Sequence, residues 1–260
     1  MRIEDKLNQL KANNQKAFNV YVPFGYPTIK ASCDIVLTLF DNGVDIVELG
    51  IPFSDPLADG PIIQEATSVA LGGGANVDKM FDFLAQIKEK TDNPIVIMTY
   101  FNPVFAYGVT SFFKKMKKVS CSGIMVVDLP LEESQDYLEK TREYNLEPIF
   151  FITPTTSSSR AEKISKISRG FIYYISVKGT TGPRDLVYPV LKKNIDQLKK
   201  ITETSICVGF GIHEKKQVQE INKFADGVII GSEIVSFIAR EHKSKGFLAK
   251  LGKKVRSLKG

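Results

Sequence analysis

The chain has 260 residues, of which 43% are hydrophobic and 25% charged, as expected of a soluble protein with a substantial core. Its net charge of +6 raises the question of nucleic-acid binding, but no known base-reading motif is present and the aromatic interleaving typical of such surfaces is missing. Three widely spaced cysteines without a Cys-x-x-Cys pair indicate small buried residues in a reducing compartment, and the two histidines exclude a multi-histidine metal site.

The N-terminal residues are charged and lead into a helical pattern, so we expect no signal peptide. No apolar run approaches the roughly 18–20 residues of a membrane span. We therefore expect a soluble cytoplasmic protein that binds neither metal nor membrane.

Eight short apolar runs, rich in β-branched and aromatic residues, are typical of parallel strands that are covered on both faces. They are Phe18–Val22, Ile46–Leu49, Ile95–Tyr100, Ile124–Val127, Pro148–Ile152, Phe171–Ile175, Ile206–Gly209 and Gly227–Ile230.

Helical patterns lie between these runs and before the first one. The predicted helices are Ile3–Ala12, Lys30–Asn42, Val77–Lys90, Thr110–Ser120, Leu131–Tyr144, Ser158–Ser168, Tyr188–Thr202 and Lys215–Phe224, with a further helix starting near Ser232.

Eight alternating β and α units predict an α/β fold, a (β/α)8 TIM barrel with an extra N-terminal helix, as a single domain over residues 1–260. The alternative is an open doubly wound sheet, for which we would expect Gly-x-Gly-x-x-Gly after the first strand, and residues 21–25 do not match it. We expect the helix Ile3–Ala12 to cover the N-terminal end of the barrel.

The segment after His242 holds seven lysines and arginines and no acid. Phe247, Leu248, Leu251, Val255 and Leu258 recur in it at helical spacing, which predicts a final amphipathic helix with a solvated basic face. Nucleic-acid binding by this segment is the alternative.

Active sites of such barrels lie at the C-terminal ends of the strands, which makes Glu48 a candidate catalytic acid or base. Burial there would raise its pKa into the range where it can give and take a proton near neutrality. An ordinary ion pair at the barrel rim is the alternative.

Asp59 follows in a loop that also holds Asp55 and three prolines, Pro52, Pro56 and Pro61. Prolines restrict the loop, so we expect it to be held in place. Either aspartate is a catalytic candidate, or each accepts hydrogen bonds from its own loop backbone.

Glycines follow the last two strands, as Gly209-Phe210-Gly211 and Gly231-Ser232. Glycines admit close approach of an anion and a helix N-terminus supplies free N–H groups, so this pattern predicts a phosphate site. Turn glycines at strand ends are the alternative. Residues 177–183 form a second glycine-rich segment, either a mobile lid or an ordinary surface loop.

The stretch ELGIPFSDPLADGP closely resembles the signature of the tryptophan synthase α subunit family, and YYISVKGTTG, GFGI and the terminal GS resemble its later loops. The likeness extends from about Phe18 to Ile238. It implies a lyase of tryptophan biosynthesis that cleaves indole-3-glycerol phosphate by a retro-aldol reaction to indole and glyceraldehyde 3-phosphate.

The resemblance implies site residues by motif position. Glu48 and Asp59 match the catalytic pair, with Glu48 as proton shuttle and Asp59 as anchor of the indole nitrogen. The matches to substrate-binding positions are Tyr21, Ile63, Tyr100, Tyr173 and Thr181, and those to the phosphate site are Gly182, Phe210, Gly211, Gly231 and Ser232. Two departures, Tyr26 for an aspartate and Val177 for an arginine, leave the contacts of the lid open.

The resemblance also implies an αββα heterotetramer with a β subunit that carries pyridoxal phosphate, while this chain needs no cofactor. The loop of Asp55 and Pro56 and the segment Asn102–Phe105 are the expected contacts with the partner.

Two rival functions stay open. One is a sugar-phosphate isomerase or epimerase, in which Asp128 would be a second acid at a strand end. The other is a non-catalytic subunit that only activates its partner.

Overall fold

A computed structural model describes residues 1–176, 187–209 and 211–260 of the chain. Within these ranges, nine strand segments form one parallel sheet in the order β5-β4-β3-β2-β1-β9-β8-β7-β6. The strands are β1 (Ala17–Pro23), β2 (Ile46–Gly50), β3 (Ile95–Thr99), β4 (Gly123–Val126), β5 (Glu147–Pro148), β6 (Phe151–Ile152), β7 (Phe171–Ile175), β8 (Ser205–Gly209) and β9 (Gly227–Ile230).

The two short strands β5 and β6 are halves of the predicted strand Pro148–Ile152 and close the barrel. β5 pairs with β4, and β6 pairs with β7. The ladder continues between the halves, because the N–H of Ile149 donates to Ile124 O (3.0 Å) and the N–H of Tyr173 donates to Phe150 O (3.0 Å). The predicted TIM barrel is thereby confirmed, with its fifth strand divided between two neighbours.

The helices of the described ranges surround the sheet. They are α1 (Ile3–Ala12), α2 (Ile29–Asp41), α3 (Pro61–Gly72), α4 (Val77–Lys88), α5 (Phe101–Tyr107), α6 (Val109–Lys118), α7 (Gln135–Glu143), α8 (Ser158–Ile167), α9 (Tyr188–Leu198), α10 (Lys215–Asn222), α11 (Ser232–Glu241) and α12 (Phe247–Lys259). Most predicted helices are confirmed within a few residues. The sequence patterns missed α3, which begins at Pro61, and α5, whose third residue is Pro103.

The prediction of one helix over Leu131–Tyr144 is wrong. A 3-10 turn at Leu131–Glu133 precedes α7, and Ser134 lies between them. The hydroxyl of Ser134 donates to Leu131 O at 2.7 Å, which satisfies a carbonyl that a continuous helix would bond four residues later.

Helix α1 covers the N-terminal end of the barrel, as predicted. Ile3, Leu7 and Leu10 are buried against inward-facing residues of the strands, among them Ile46 and Phe171. This apolar floor leaves the opposite, C-terminal end as the open mouth of the barrel. No helix in the described ranges combines the length and apolarity that crossing a membrane requires.

The predicted apolar face of the last helix is largely confirmed, since Leu251, Val255 and Leu258 are buried while Leu248 is exposed. The basic face, however, is not simply solvated. Four of its cations contact the rest of the chain: Lys250 pairs with Glu241, Lys254 with Glu233 and Lys259 with Asp45, and Arg256 donates to Asn42.

Candidate active site

A cavity of about 300 Å³ opens at the mouth of the barrel. A volume of this size fits a small-molecule ligand. Its wall brings together eight of the predicted site residues: Tyr21, Glu48, Asp59, Ile63, Tyr173, Gly211, Gly231 and Ser232. Residues from Tyr21 to Ser232, far apart in the chain, therefore meet in one site.

Glu48 lies on β2 in register with Tyr21 of β1, and its side chain faces the cavity. The residue is 0% exposed, and within the described residues neither carboxylate oxygen has a hydrogen-bond partner. No Lys, Arg or His of the described ranges forms an ion pair with it, which argues against an ordinary ion pair at the rim. Burial raises the pKa of Glu48 to about 8, so the carboxyl is largely protonated at neutrality.

Asp59 lies in the loop between β2 and α3, and this loop is held by several hydrogen bonds. Its N–H donates to Pro56 O (3.0 Å), and the amide of Gln64 donates to Asp59 O (2.9 Å). Its carboxylate accepts from the hydroxyl of Tyr100 at 3.0 Å instead of from its own loop. Burial raises the pKa of Asp59 to about 6, against the lowering effect of that hydrogen bond, so the ionised form predominates at neutrality.

Tyr100 lies directly after β3, where its side chain contacts the loop of Asp59. β3 ends at Thr99, and Tyr100 precedes α5, where its hydroxyl accepts from the N–H of Ala58 (2.9 Å) and donates to Asp59. It is absent from the residues that line the cavity. Its assignment to the indole-contacting wall stays a prediction, while the geometry places it behind Asp59, where it orients the carboxylate.

Two tyrosines flank Glu48 inside the cavity. Tyr21 extends over the end of β2, where a Cβ atom on Gly50 would lie 2.3 Å from the tyrosine hydroxyl, so a larger residue there would displace the ring of Tyr21. The ring of Tyr173 on β7 packs against Phe151, with 5.0 Å between the ring centroids. Burial raises the pKa of both tyrosines well above the usual value, so both keep their hydroxyl proton.

The turns after β8 and β9 form the other side of the cavity. Gly211 has a φ of +80°, a conformation that favours glycine, and its carbonyl contacts the ring Nδ1 of His213 at 2.8 Å. The side chain of Gln217 fixes this turn, accepting from the N–H groups of His213 (2.8 Å) and Glu214 (3.0 Å).

Gly231 immediately precedes α11, so the first-turn N–H groups of that helix, including that of Ser232, lie at the cavity wall. This is the environment that the glycine pattern predicts for a phosphate group. Three of the predicted residues, Thr181, Gly182 and Phe210, lie outside the described residues, as does the predicted lid.

Asp128, the second acid of the rival isomerase, does not line this cavity. Its side chain is exposed and accepts from the N–H of Phe101 at 2.7 Å, at the start of α5. That contact fixes a helix N-terminus, and Asp128 lies outside the cavity in which the rival function would need a second acid.

The sequence patterns missed a large part of the cavity wall. The additional lining residues include Ile62, Met98, Phe151, Thr153, Ile175, His213, Ile229, Glu233 and Ser236. Met98 and Ile229 could have been found from strand parity, since they share the inward face with Glu48 and Gly231. Nothing local marks His213 or Glu233 as wall residues, because their place depends on how the turns pack.

A family model described as "Tryptophan synthase alpha chain" matches residues 7–259. Curated relatives with that name include a protein of Petrotoga mobilis, 38% identical over 91% of this chain and 92% of its own length. Another is from Methanocaldococcus jannaschii, 40% identical over 95% of this chain and 88% of its own.

Solved structures agree with these matches. Tryptophan synthase subunit alpha of Legionella pneumophila superposes with a TM-score of 0.93 at 32% identity, over 99% of this chain and 97% of that one. A tryptophan synthase structure from Mycobacterium tuberculosis gives a TM-score of 0.91 at 32% identity, over 99% of this chain and 96% of the other.

Proposed function

The chain belongs to the tryptophan synthase alpha chain family, and on that premise we propose that it cleaves indole-3-glycerol phosphate to indole and glyceraldehyde 3-phosphate. The observation that supports the proposal is the set of residues that line the cavity. One cavity is lined by two buried carboxyl groups, Glu48 and Asp59, and by the glycine turns after β8 and β9. Glu48 is suited to proton transfer, Asp59 is suited to binding the indole nitrogen, and the turns are suited to binding a phosphate group.

Asp59 is the group that orients the indole ring. Ionised at neutrality, its carboxylate accepts a hydrogen bond from the indole N–H and stabilises the positive charge that develops on the ring nitrogen. Tyr100 holds the carboxylate in place during this step through its hydroxyl.

Glu48 is the proton shuttle. Its protonated carboxyl gives a proton to the ring carbon that bears the glycerol side chain, which converts the indole to an indolenine. The resulting carboxylate then removes the proton of the adjacent side-chain hydroxyl. The bond between ring and side chain breaks, its electron pair restores the indole, and glyceraldehyde 3-phosphate leaves. A pKa of about 8 suits both transfers near neutrality.

The phosphate end of the substrate is bound by backbone groups. Gly211, Gly231 and the first turn of α11 line that end of the cavity, with the hydroxyl of Ser232 beside them. Tyr21, Ile63 and Tyr173 enclose the indole ring. Thr181, Gly182 and Phe210 complete the site by their match to the family motif.

The chain acts as the α subunit of a cytoplasmic αββα heterotetramer, and the indole passes to the β subunit for tryptophan synthesis. Pyridoxal phosphate belongs to that partner, and the α reaction proceeds without a cofactor. Two apolar side chains near the mouth support a docking surface there: Leu57 is 86% exposed beside Pro56, and Phe105 on α5 is 66% exposed.

The test is the formation of indole from indole-3-glycerol phosphate by the purified chain, alone and with a β subunit. We expect indole in both assays and a lower rate in an Asp59→Asn variant, by about 100-fold or more because the ring nitrogen loses its counter-charge. No indole in either assay would refute the proposal and favour a subunit that only activates its partner.

A further inference from the structure

Glu233 places a negative charge at the phosphate end of the cavity. It is the second residue of α11, and it lines the same wall as Gly211, Gly231 and Ser232. A carboxylate in the first turn of a helix is attracted by the same N–H groups that bind phosphate. Left alone, Glu233 would repel the dianion and compete with it for those groups.

The cavity wall itself offers little to offset that charge. Among the lining residues that the structure describes there is no lysine or arginine, while Glu48 and Asp59 add two more acids. Among the described residues, a cation that neutralises Glu233 has to come from behind the wall.

Lys254 of the last helix is that group. Its Nζ lies 2.6 Å from Oε1 of Glu233, and the two side chains are only 24% and 21% exposed. A pair that is mostly shielded from solvent is screened less than one on the open surface. The pair thus joins the basic helix α12, whose function the sequence left open, to the phosphate end of the cavity.

We propose that Lys254 is a positioning residue of the phosphate site, which neutralises Glu233 and so sets the affinity of the cavity for a phosphorylated ligand. The inference rests on the proposed function, because it takes the ligand of this wall to be a phosphate ester. Lys254 acts through Glu233 and does not touch the substrate.

The experiment compares two probes that differ only in the phosphate, indole-3-propanol phosphate and indole-3-propanol, by titration calorimetry on the full chain. We expect Lys254→Met to weaken binding of indole-3-propanol phosphate about three- to tenfold and to leave binding of indole-3-propanol unchanged. Only the phosphate lies close enough to be repelled by the carboxylate of Glu233 that has lost its lysine. In turnover assays KM should rise while kcat stays near the wild-type value.

Glu233→Gln should have the opposite effect on the affinity for the phosphorylated probe. It should bind the phosphorylated probe at least as tightly as the wild type, and adding it to Lys254→Met should restore the lost affinity. Lys250→Met is the matched control, because Lys250 and Glu241 join the same two helices at 2.8 Å, and Glu241 does not line the cavity. This control should bind both probes normally.

Three results would each overturn the inference. Lys254→Met could bind the phosphorylated probe as tightly as the wild type does, it could bind both probes equally weakly, or Glu233→Gln could fail to restore its affinity. A wild-type chain that binds neither probe would overturn the proposed function as well, so the two failures are distinguishable.

Discussion

The two ends of the barrel both bury carboxyl groups, but they surround them differently. At the floor, Glu147 accepts from the N–H groups of Ile3 (2.6 Å) and Glu4 (3.1 Å), at the start of α1, and Arg2 lies 3.6 Å away. At the mouth, Glu48 accepts no hydrogen bond from any described residue. Both residues are at most 2% exposed, so burial alone does not distinguish them.

Two further acids repeat the floor pattern. Asp45 accepts from the N–H of Phe18 (3.0 Å), and Asp226 accepts from the N–H of Ile206 (3.0 Å). Both also have lysine partners, Lys6 and Lys259 for Asp45 and Lys199 for Asp226. Asp45 is buried and Asp226 is 28% exposed, and hydrogen bonds offset the cost of desolvating both charges. Glu48 is fully buried and has no such partner among the described residues. The comparison indicates that the floor acids fasten the fold, and it agrees with the proposed role of Glu48 in proton transfer.

The largest effect should follow from Glu48→Gln. The amide fits the same space but has no proton to give, so indole formation should fall by about 1000-fold or more. Far-ultraviolet circular dichroism should show an intact fold. The matched variant at the floor, Glu147→Gln, should retain turnover. Near-normal turnover in Glu48→Gln would show that the acid at the mouth is no more important for catalysis than the acid at the floor.

Glu147→Gln should instead lower stability. Its neutral amide cannot accept two charge-assisted hydrogen bonds from the first turn of α1, and the loss should cost about 1–3 kcal/mol in the free energy of unfolding. Urea unfolding of both variants measures this. An unchanged midpoint for Glu147→Gln would show that the floor contacts do not fasten α1.

A smaller effect concerns the pH profile. The proposed mechanism needs Asp59 ionised and Glu48 protonated, so kcat/KM should rise through a pKa of about 6 and fall through about 8. Tyr100→Phe removes a hydrogen bond that lowers the pKa of Asp59, which should move the acid limb to higher pH by about one unit or less. The alkaline limb should stay in place.

Tyr107→Phe is the control for this shift. Tyr107 donates to Asp78 at 2.9 Å, a contact of the same type on the exposed surface. Its loss should leave both limbs unchanged. An acid limb that stays in place in Tyr100→Phe would mean that Tyr100 does not act through Asp59.

The sequence predicted the strands well, because parallel strands buried on both faces leave near-continuous apolar runs. It also located Glu48, since a carboxyl at the end of such a run stands out. The division of the fifth strand was not predictable, because it depends on pairing with β4 on one side and β7 on the other.

Side-chain partners were the least predictable feature. The sequence placed Tyr100 in the site but not behind Asp59, since that contact joins a loop to the end of another strand. The pair of Glu233 and Lys254 is also long-range, and composition alone suggested a solvated basic helix. Local sequence patterns show which positions of a helix or strand are buried, but they do not show which residue pairs with a buried charge.

The protonation state of Glu48 tests the difference between the two ends most directly. Carbon-13 NMR of the glutamate carboxyl groups, with the signal of Glu48 assigned by its absence in Glu48→Gln, gives the midpoint of its titration. With the carboxyl buried and unpartnered, the midpoint should lie at about 8. A midpoint near the ordinary value of 4.5 would contradict the account, because Glu48 would then be ionised at neutrality and could not protonate the ring carbon.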